Sequence, residues 1–334
     1  MLSVTTKNSK ECKRLCFFAG YDEEGIIRDY VIYYIKELSK FSDVFYVGDF
    51  DTSNTELQKL ADITIGSIAQ RHKKYDFGSW ALAFSSNTDI LNKYDELILV
   101  NDSCYGPIYP LKKVFDEMDA KKIDAWSICG NHFLMSFFVV LNRKLFLSSE
   151  FYHFITNITP EKNKSMIIKK YERGLDNLIR EKTNKFGIYC SKLELKKFYN
   201  EHRKEIKEVL KLIPILPRIL IRLRPEKIRL YEDGTVILLM MQFPLIKKLY
   251  FKGDNYTARY YLQLLKIYTN YPINLIQNNL NNDFVRKSNW GNILLNRIKM
   301  LIRNFLFQRI YSGNKYIVKI LKIPVYIKRN NYKF

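Results

Sequence analysis

Short apolar runs alternate with segments of helical periodicity along much of this chain. Residues 14–20, 43–48 and 96–100 are almost entirely apolar, as is typical of strands buried on both faces of a sheet. Between these runs, residues 26–38 and 77–84 carry apolar side chains at helical spacing. The pattern predicts an α/β fold in which helices cover both faces of a mostly parallel sheet.

Weaker patterns extend this prediction toward the C-terminus. They indicate further strands over residues 63–65, 124–128, 132–141 and 188–190, and further helices over 55–61, 146–155, 165–182 and 201–212. Three prolines then interrupt a basic stretch, and residues 231–279 have helical character. We therefore expect an α/β domain over residues 1–200, a helical accessory region over 201–285 and a separate tail over 286–334.

The tail is strongly basic. It contains twelve Lys or Arg and no Asp or Glu, within a chain of net charge +21. Apolar residues of 290–310 fall on one helical stripe, which favours an amphipathic helix lying on an anionic membrane surface. The alternative is a helix docked on the protein itself, with its basic face in solvent.

Cysteine usage and hydropathy bear on the location of the protein. The five cysteines are odd in number and none has CxxC spacing, so a disulfide framework or zinc site is not indicated. The first fourteen residues are polar and charged, unlike a secretory signal. The longest apolar stretch, 235–246, is too short to span a bilayer. We expect a cytoplasmic protein, peripheral on the inner face of the cell membrane.

Polar residues follow several of the predicted strands. Tyr21 and Asp22 follow the first strand, and Asn101, Asp102 and Ser103 follow the strand over 96–100. Ligands of parallel α/β sheets bind outside the carboxyl ends of the strands, so we expect these residues to share one edge. A carboxylate and a hydroxyl in such a turn suit a metal-bound diphosphate, which points to a nucleotide-sugar site.

Asp102 is the strongest single candidate in that turn. Its carboxylate could hold a divalent cation, Mg²⁺ or Mn²⁺, against a diphosphate, although basic residues could take the place of the metal. The alternative is a helix cap or turn, since Asn, Asp and Ser favour both. Asp76 and Trp80 open a helix after a polar loop, where Asp76 could contact a base or ribose or could simply cap the helix.

Two further groups of residues could act on an acceptor. Glu172 begins a helical segment and could serve as a general base, or it could be an exposed helix charge that pairs with Arg173 or Lys169; Asp176 is the alternate base. His132 and Ser136 would share one face of a strand over 132–141 and could line a pocket. A satisfied core histidine is the other interpretation of His132.

The sequence resembles the rhamnan synthesis protein F family of bacterial glycosyltransferases. The resemblance is carried by residues 18–22, 75–80, 94–107, 132–138 with 151–154, and 171–175, with a later segment over 243–248. It extends over roughly residues 14–250. The segments over 75–80 and 101–107 are the specific ones.

The resemblance implies transfer of a sugar, often rhamnose from a dTDP donor, to a growing lipid-linked glycan. The strand order and the position of the Asn101–Ser103 turn predict a GT-A-like, Rossmann-type nucleotide-sugar domain, and we expect inversion with Glu172 as base. Donor-binding residues would be Tyr21, Asp22, Arg71, Asp76, Gly78, Trp80, Asn101, Asp102 and Ser103; His132 and Ser136 would lie on the acceptor side, and Asp102 would bind any metal. The sequence departs from the family at Gly20 and over 70–74, near the expected donor pocket.

Two other functions remain open at this point. The net charge and the aromatic content are also found in nucleic-acid-binding proteins, although here the basic residues concentrate in one tail. A second carboxylate is missing from the Asn101–Ser103 turn, which is compatible with an inactive, membrane-bound assembly subunit. The sequence leaves the sugar, the linkage, the acceptor and the oligomeric state undetermined.

Overall fold

The computed structural model describes residues 12–131, 133–210, 235–251, 255–284, 307–312, 315–320 and 323–329. The chain divides into two compact units, Met1–Asn281 and Asn282–Phe334. The further boundary expected near residue 200 stays a prediction.

Nine strands lie in the described part of the first unit. They are β1 (Arg14–Gly20), β2 (Asp43–Gly48), β3 (Gly66–Ala69), β4 (Glu96–Asn101), β5 (Cys104–Tyr105), β6 (Ala125–Gly130), β7 (Phe138–Asn142), β8 (Phe186–Ser191) and β9 (Ile246–Lys247).

The described helices follow in chain order. They are α1 (Asp29–Leu38), α2 (Asn54–Gln58), α3 (Tyr75–Ser86), α4 (Lys112–Ala120), α5 (Arg143–Phe146), α6 (Ser149–Thr156), α7 (Lys164–Ile167), α8 (Arg173–Lys182), α9 (Lys192–Glu201), α10 (Arg203–Leu210), α11 (Thr235–Met240), α12 (Asn255–Tyr268) and α13 (Asn274–Phe284). A π-helical turn, Ile168–Glu172, joins α7 to α8, and 3₁₀ turns lie at Leu91–Lys93 and Lys248–Phe251.

Seven strands form the central sheet, in the order β3-β2-β1-β4-β7-β6-β8. Only β7 runs antiparallel to its neighbours within this sheet. Every residue of β1 and β6 is buried, as expected for strands covered on both faces. The prediction of an α/β fold with a mostly parallel sheet is confirmed.

Aromatic side chains attach helices to both faces of this sheet. On one face Phe77 and Trp80 of α3 join the main apolar cluster, and the Trp80 indole N–H donates to the carbonyl of Val100 at 3.0 Å. On the other face Phe18 meets Tyr34 of α1 edge to face, with ring centroids 5.4 Å apart. Burying each large apolar side chain contributes about 1.5–3 kcal/mol, so the ends of β1 and β4 rest on a stable support.

A small two-stranded sheet brings a distant segment to the end of β4. Strand β5, directly after the Asn101–Ser103 turn, pairs antiparallel with β9. The amide of Ile108 donates to the carbonyl of Pro244 at 2.7 Å, and the amide of Lys248 donates to the carbonyl of Ser103 at 3.0 Å. This pairing places the side chains of β9 and the following turn beside the ends of the central strands.

Two predicted strands are displaced. The strand expected over 63–65 begins instead at Gly66, where the missing Cβ allows the Phe45 ring of β2 to lie close. The strand expected over 132–141 begins only at Phe138. Before it, Asp176 accepts from the amide of Leu134 and Ser127 donates to the carbonyl of Met135. These side chains occupy backbone groups that a longer strand would pair, so the predicted strand position of Ser136 is wrong, and His132 lies outside the described residues.

The helical prediction over 231–279 is wrong in its middle. Helix α11 ends at Met240, and β9 follows before α12 and α13. Pro244 lies between α11 and β9, and proline has no N–H to donate within a helix. The proline therefore favours the extended segment that reaches β5.

The second unit contains a small antiparallel sheet, formed by β10 (Phe307–Ser312), β11 (Lys315–Ile320) and β12 (Ile323–Arg329). Of the amphipathic helix expected over 290–310, residues 290–306 lie outside the described residues. Residues 307–310 belong to a strand, so the helix prediction is wrong there. Within the described parts of the chain, no helix has the length and hydropathy needed to cross a membrane.

The β5–β9 pairing can be tested at Gly106. Its φ is +149°, and an added Cβ would lie 2.7 Å from the carbonyl oxygen of Pro244. We expect Gly106→Ala to destabilise the protein by roughly 1–3 kcal/mol, because backbone strain and crowding act together. Hydrogen exchange should become faster at the amides of Ile108 and Lys248 and remain slow in β1. Unchanged exchange at both amides would show that this pairing tolerates a side chain.

Candidate active site

The carboxyl ends of the first four strands meet at one edge of the sheet. The register pairs Gly20 with Gly48 and Ala19 with Asn101. The residues that follow β1, β2 and β4 are therefore neighbours, which confirms the shared edge predicted for the residues after β1 and β4. We call this edge the rim, defined by residues 20–22, 48–51, 69–72 and 101–103.

Asn101 organises the turn at the end of β4. Its Oδ1 accepts from the amide and the hydroxyl of Ser103, at 3.1 and 2.6 Å. Its Nδ2 donates to Oδ2 of Asp76, in the first turn of α3, at 2.6 Å. The structure thus brings together Asp76, Asn101 and Ser103, three of the residues assigned to the donor.

Asp102 is buried and held on two sides. Its amide donates to the carbonyl of Ala19 at 3.0 Å, which ties the turn to β1. Its Oδ2 accepts from the Tyr30 hydroxyl at 3.1 Å and from the Lys248 ammonium at 2.9 Å. The ammonium also donates to the Tyr30 hydroxyl at 2.6 Å. Asp102 is therefore the acidic member of a closed three-residue contact.

A second lysine from β9 reaches the same turn. The Lys247 ammonium donates to the Ser103 hydroxyl at 2.8 Å and lies 3.8 Å from the centroid of the Phe137 ring. Sequence reasoning assigned no role to Lys247 or Lys248. The available signal was the family-like segment over 243–248, which ends with these two lysines.

These contacts decide how well the rim suits a divalent cation. One carboxylate oxygen of Asp76 accepts from Asn101, and one carboxylate oxygen of Asp102 accepts from Lys248 and Tyr30. No group of three or more His, Cys, Asp or Glu that could hold a metal occurs among the described residues. Mg²⁺ and Mn²⁺ prefer several oxygen ligands without a competing ammonium. The donor set of this turn does not fit a bound divalent cation.

The pKa of Asp76 is raised to about 6. Removal from water is the main cause, and the nearby negative charge of Asp102 adds to it. Lys164, Lys247 and the hydrogen bond from Asn101 act in the opposite direction. Asp76 therefore changes charge close to neutral pH, beside the turn that carries Asp102.

Glu172 and Ser136 form a second part of the site. The Ser136 hydroxyl donates to Oε1 of Glu172 at 2.6 Å. Glu172 ends the π-helical turn before α8, a distortion that recurs at functional sites. Phe137 follows Ser136 in the chain, and its carbonyl accepts from the amide of Asn101 at 3.3 Å. The proposed base thus lies two contacts from the Asn101–Ser103 turn.

The alternate base is occupied by structural contacts. Asp176 accepts from the amide of Leu134 at 2.9 Å and from Arg180 at 2.8 Å, and it is buried. It anchors the loop that carries Ser136. His132, the other predicted acceptor-side residue, lies outside the described residues.

The remaining predicted donor residues differ in exposure. Tyr21 is 50% exposed at the end of β1, and the exposed Arg71 pairs with Asp51 at 3.1 Å. Asp22 caps its own turn by accepting from the amide of Glu24 and pairs with Arg28 at 2.7 Å. Tyr21 and Arg71 are thus accessible to a ligand, whereas the carboxylate of Asp22 is already paired.

Two predicted donor residues lie beneath the surface instead. Trp80 is fully buried, and its only polar atom is bonded to Val100. Gly78 is buried as well, and an added Cβ would lie 2.7 Å from Nδ1 of His72. The prediction that they contact the donor is therefore wrong. Trp80 packs α3 against β4, and Gly78 allows the loop before α3 to lie close to this helix.

The same loop contains a Ser-His-Asp arrangement. His72 Nε2 lies 3.0 Å from the Ser79 hydroxyl, and Nδ1 lies 3.4 Å from Asp49. However, the amide of Lys74 donates to Nδ1 at 3.1 Å, so the proton of neutral His72 is on Nε2. Burial lowers the pKa of His72, and Ser79 is itself buried. This tautomer cannot activate Ser79, so the arrangement is structural.

A mostly parallel α/β sheet with polar turns at its carboxyl rim is compatible with a glycosyltransferase of the nucleotide-sugar-dependent class. The family model of rhamnan synthesis protein F matches residues 44–216. The chain belongs to this family of glycosyltransferases. The predicted family, the α/β fold class with a mostly parallel sheet and the enzyme class are confirmed.

Distant structural likenesses accompany the family match. The glycosyltransferase GlyE of Streptococcus pneumoniae is 13% identical, covering 83% of this chain and 66% of its own, with a TM-score of 0.42. TarS residues 1–349 of S. aureus are 12% identical over 92% of this chain and 96% of that one, with a TM-score of 0.35. A cytidylyltransferase of Leptospira borgpetersenii is 14% identical over 53% and 76%, with a TM-score of 0.32. No curated protein matches the sequence.

The raised pKa of Asp76 predicts a specific pH dependence of stability. Between about pH 4 and pH 6 the unfolded chain has lost this proton while the folded protein retains it, so folding becomes less favourable as pH rises. Asp76→Asn has no such proton and keeps an oxygen for Asn101. We expect the wild type to lose on the order of 2 kcal/mol relative to Asp76→Asn across this window.

Urea unfolding of both proteins at several pH values measures this difference. Asp116→Asn is the control, because Asp116 is exposed and pairs with Lys112 on the surface of α4. A constant difference between wild type and Asp76→Asn from pH 4 to pH 7 would contradict the raised pKa.

Proposed function

We propose that the enzyme transfers rhamnose or another hexose from a nucleoside diphosphate donor to a growing, lipid-linked bacterial surface polysaccharide. The donor diphosphate binds at the Asn101–Ser103 turn, and the acceptor hydroxyl binds beside Glu172. The observation that supports this most is the contact path from Glu172 through Ser136 and Phe137 to Asn101. It places a carboxylate near the turn that would hold the leaving group.

Inversion follows from one displacement at the anomeric carbon. The acceptor oxygen forms a bond to this carbon while the bond to the diphosphate oxygen breaks. Glu172 takes the acceptor proton, and the diphosphate leaves with the bonding electron pair. A general base of this kind contributes about 10²–10⁴-fold to the rate. The hydrogen bond from Ser136 orients the Glu172 carboxylate without taking its proton-accepting capacity away, because each carboxylate has two oxygens.

Tyr21 and Arg71 are the residues we assign to the nucleotide. Both are exposed at the rim, on the β1–β2–β3 side of the turn. An aromatic ring can stack on a base, and a guanidinium can contact a phosphate or ribose oxygen. The identities of the base and the sugar then depend on this side of the rim, where the sequence also departs from the family.

The basic tail suits the location of such an acceptor. A lipid-linked glycan is presented at a membrane surface, and the twelve Lys or Arg of residues 286–334 are attracted to anionic lipid. Each basic residue close to that surface contributes about 1 kcal/mol before screening by salt. We therefore propose that the protein binds the inner face of the cell membrane peripherally.

Replacing Glu172 tests the proposed base. Glu172→Gln keeps the shape and the contact with Ser136 but removes proton acceptance, so we expect kcat for sugar transfer to fall by about 10²–10⁴-fold. Donor binding should change little. The assay supplies a panel of nucleotide-sugars and a lipid-linked acceptor extract and follows the release of nucleoside diphosphate. It gives kcat for transfer and the KM for the donor.

Two variants serve as comparisons. Glu150→Gln removes an exposed carboxylate paired with Lys182 and should leave transfer unchanged. Asp176→Asn should lower thermal stability through the loop at Leu134 more than it lowers kcat. Wild-type kcat in Glu172→Gln would exclude this base, and a wild type that turns over no donor would favour the inactive assembly subunit.

A further inference from the structure

The two lysines of β9 and its following turn provide cations where the proposed donor diphosphate binds. Lys247 contacts the Ser103 hydroxyl and Lys248 contacts Asp102, so both ammonium groups lie at the turn after β4. Both residues are half-buried, with part of each side chain reaching solvent. A diphosphate at this turn would meet two ammonium groups from one short segment, one of which is paired with the Asp102 carboxylate.

We propose that Lys247 and Lys248 bind and neutralise the donor diphosphate in place of a divalent cation. This inference rests on the proposed donor site. The leaving diphosphate gains negative charge as the sugar departs, and preorganised cations stabilise that charge. Lysine is an established phosphate ligand, acting as a point charge with three N–H donors. The enzyme is then independent of added metal.

Asp102 takes a different role in this arrangement. Its carboxylate accepts from Lys248 and from Tyr30, whose hydroxyl in turn accepts from Lys248. The three contacts fix the ammonium at the rim before any ligand arrives. Asp102 is therefore a positioning residue for Lys248, and it does not coordinate a metal.

Lys247 is positioned by different groups. Its ammonium lies against the face of the Phe137 ring and donates to the Ser103 hydroxyl. Cation–π attraction and the hydrogen bond to Ser103 together fix the ammonium at the turn where the phosphate would bind. Phe137 also accepts from the amide of Asn101, which links this lysine to the diphosphate turn.

Calorimetric titration of the full chain with dTDP, UDP, GDP, CDP and ADP, in EDTA or in Mn²⁺, tests the proposal. We expect at least one nucleotide to bind, with affinities in the two conditions agreeing within about threefold. Lys247→Met should weaken that binding by about tenfold to a hundredfold, because it removes one charge-assisted hydrogen bond to the diphosphate. Lys247→Arg should restore most of it, and the matching nucleoside without phosphates should bind wild type and Lys247→Met equally.

Two further variants serve as controls for an effect on folding alone. Lys248→Met leaves Asp102 as a buried, unpaired charge, so the double variant Asp102→Asn, Lys248→Met is used to keep the site neutral. It should unfold near the wild-type temperature and still bind the diphosphate at least about tenfold more weakly. Lys112→Met removes an exposed lysine of α4 and should change nothing.

The outcomes separate this proposal from the proposed function. Binding that requires Mn²⁺ and is unaffected by Lys247→Met overturns the lysine pair and leaves the donor site in place. Equal weakening of the nucleotide and its nucleoside by Lys247→Met also overturns it, because the effect is then not on the phosphates. If none of the five nucleotides binds in either condition, the donor site itself is refuted.

Discussion

The ion pair between Lys248 and Asp102 joins residues 146 positions apart and determines how the rim is built. Asp102 is buried, and a buried carboxylate without a partner is strongly destabilising. The end of β4 therefore requires the segment that carries Lys248, and the β5–β9 pairing supplies it. Tyr30 of α1 completes the contact, so a helix from one face of the sheet, a turn at its edge and a late segment of the chain are held at one point.

From this point a short series of contacts crosses the site. The Asn101–Ser103 turn bonds to Asp76 on one side and to the backbone of Phe137 on the other, and Ser136 then bonds to Glu172. The groups assigned to the leaving diphosphate and to the acceptor proton are thus parts of one connected network. Such connection keeps reacting groups in a fixed mutual geometry, which is a large part of what an enzyme contributes to a displacement reaction.

Sequence pattern predicted the parts of this protein that depend on local periodicity. Strands β1, β2 and β4 are apolar throughout because both of their faces are buried, and their shared rim follows from parallel pairing. Periodicity could not reveal β9, since two residues have no period and their partner lies far away in the sequence. For the same reason Lys247 and Lys248 were missed. Trp80 was misassigned because the same aromatic residue type can stack on a ligand or fill a core, and only packing distinguishes the two.

The route of the chain has a consequence for the order in which the protein becomes competent. All seven strands of the central sheet have been synthesised once Ser191 has been added, yet the cations at the rim belong to a segment that ends at Lys248. A nascent chain can therefore possess a nearly complete scaffold while its rim still lacks Lys247 and Lys248. The contacts at the Asn101–Ser103 turn are complete only after β9 and the turn that follows it have been synthesised.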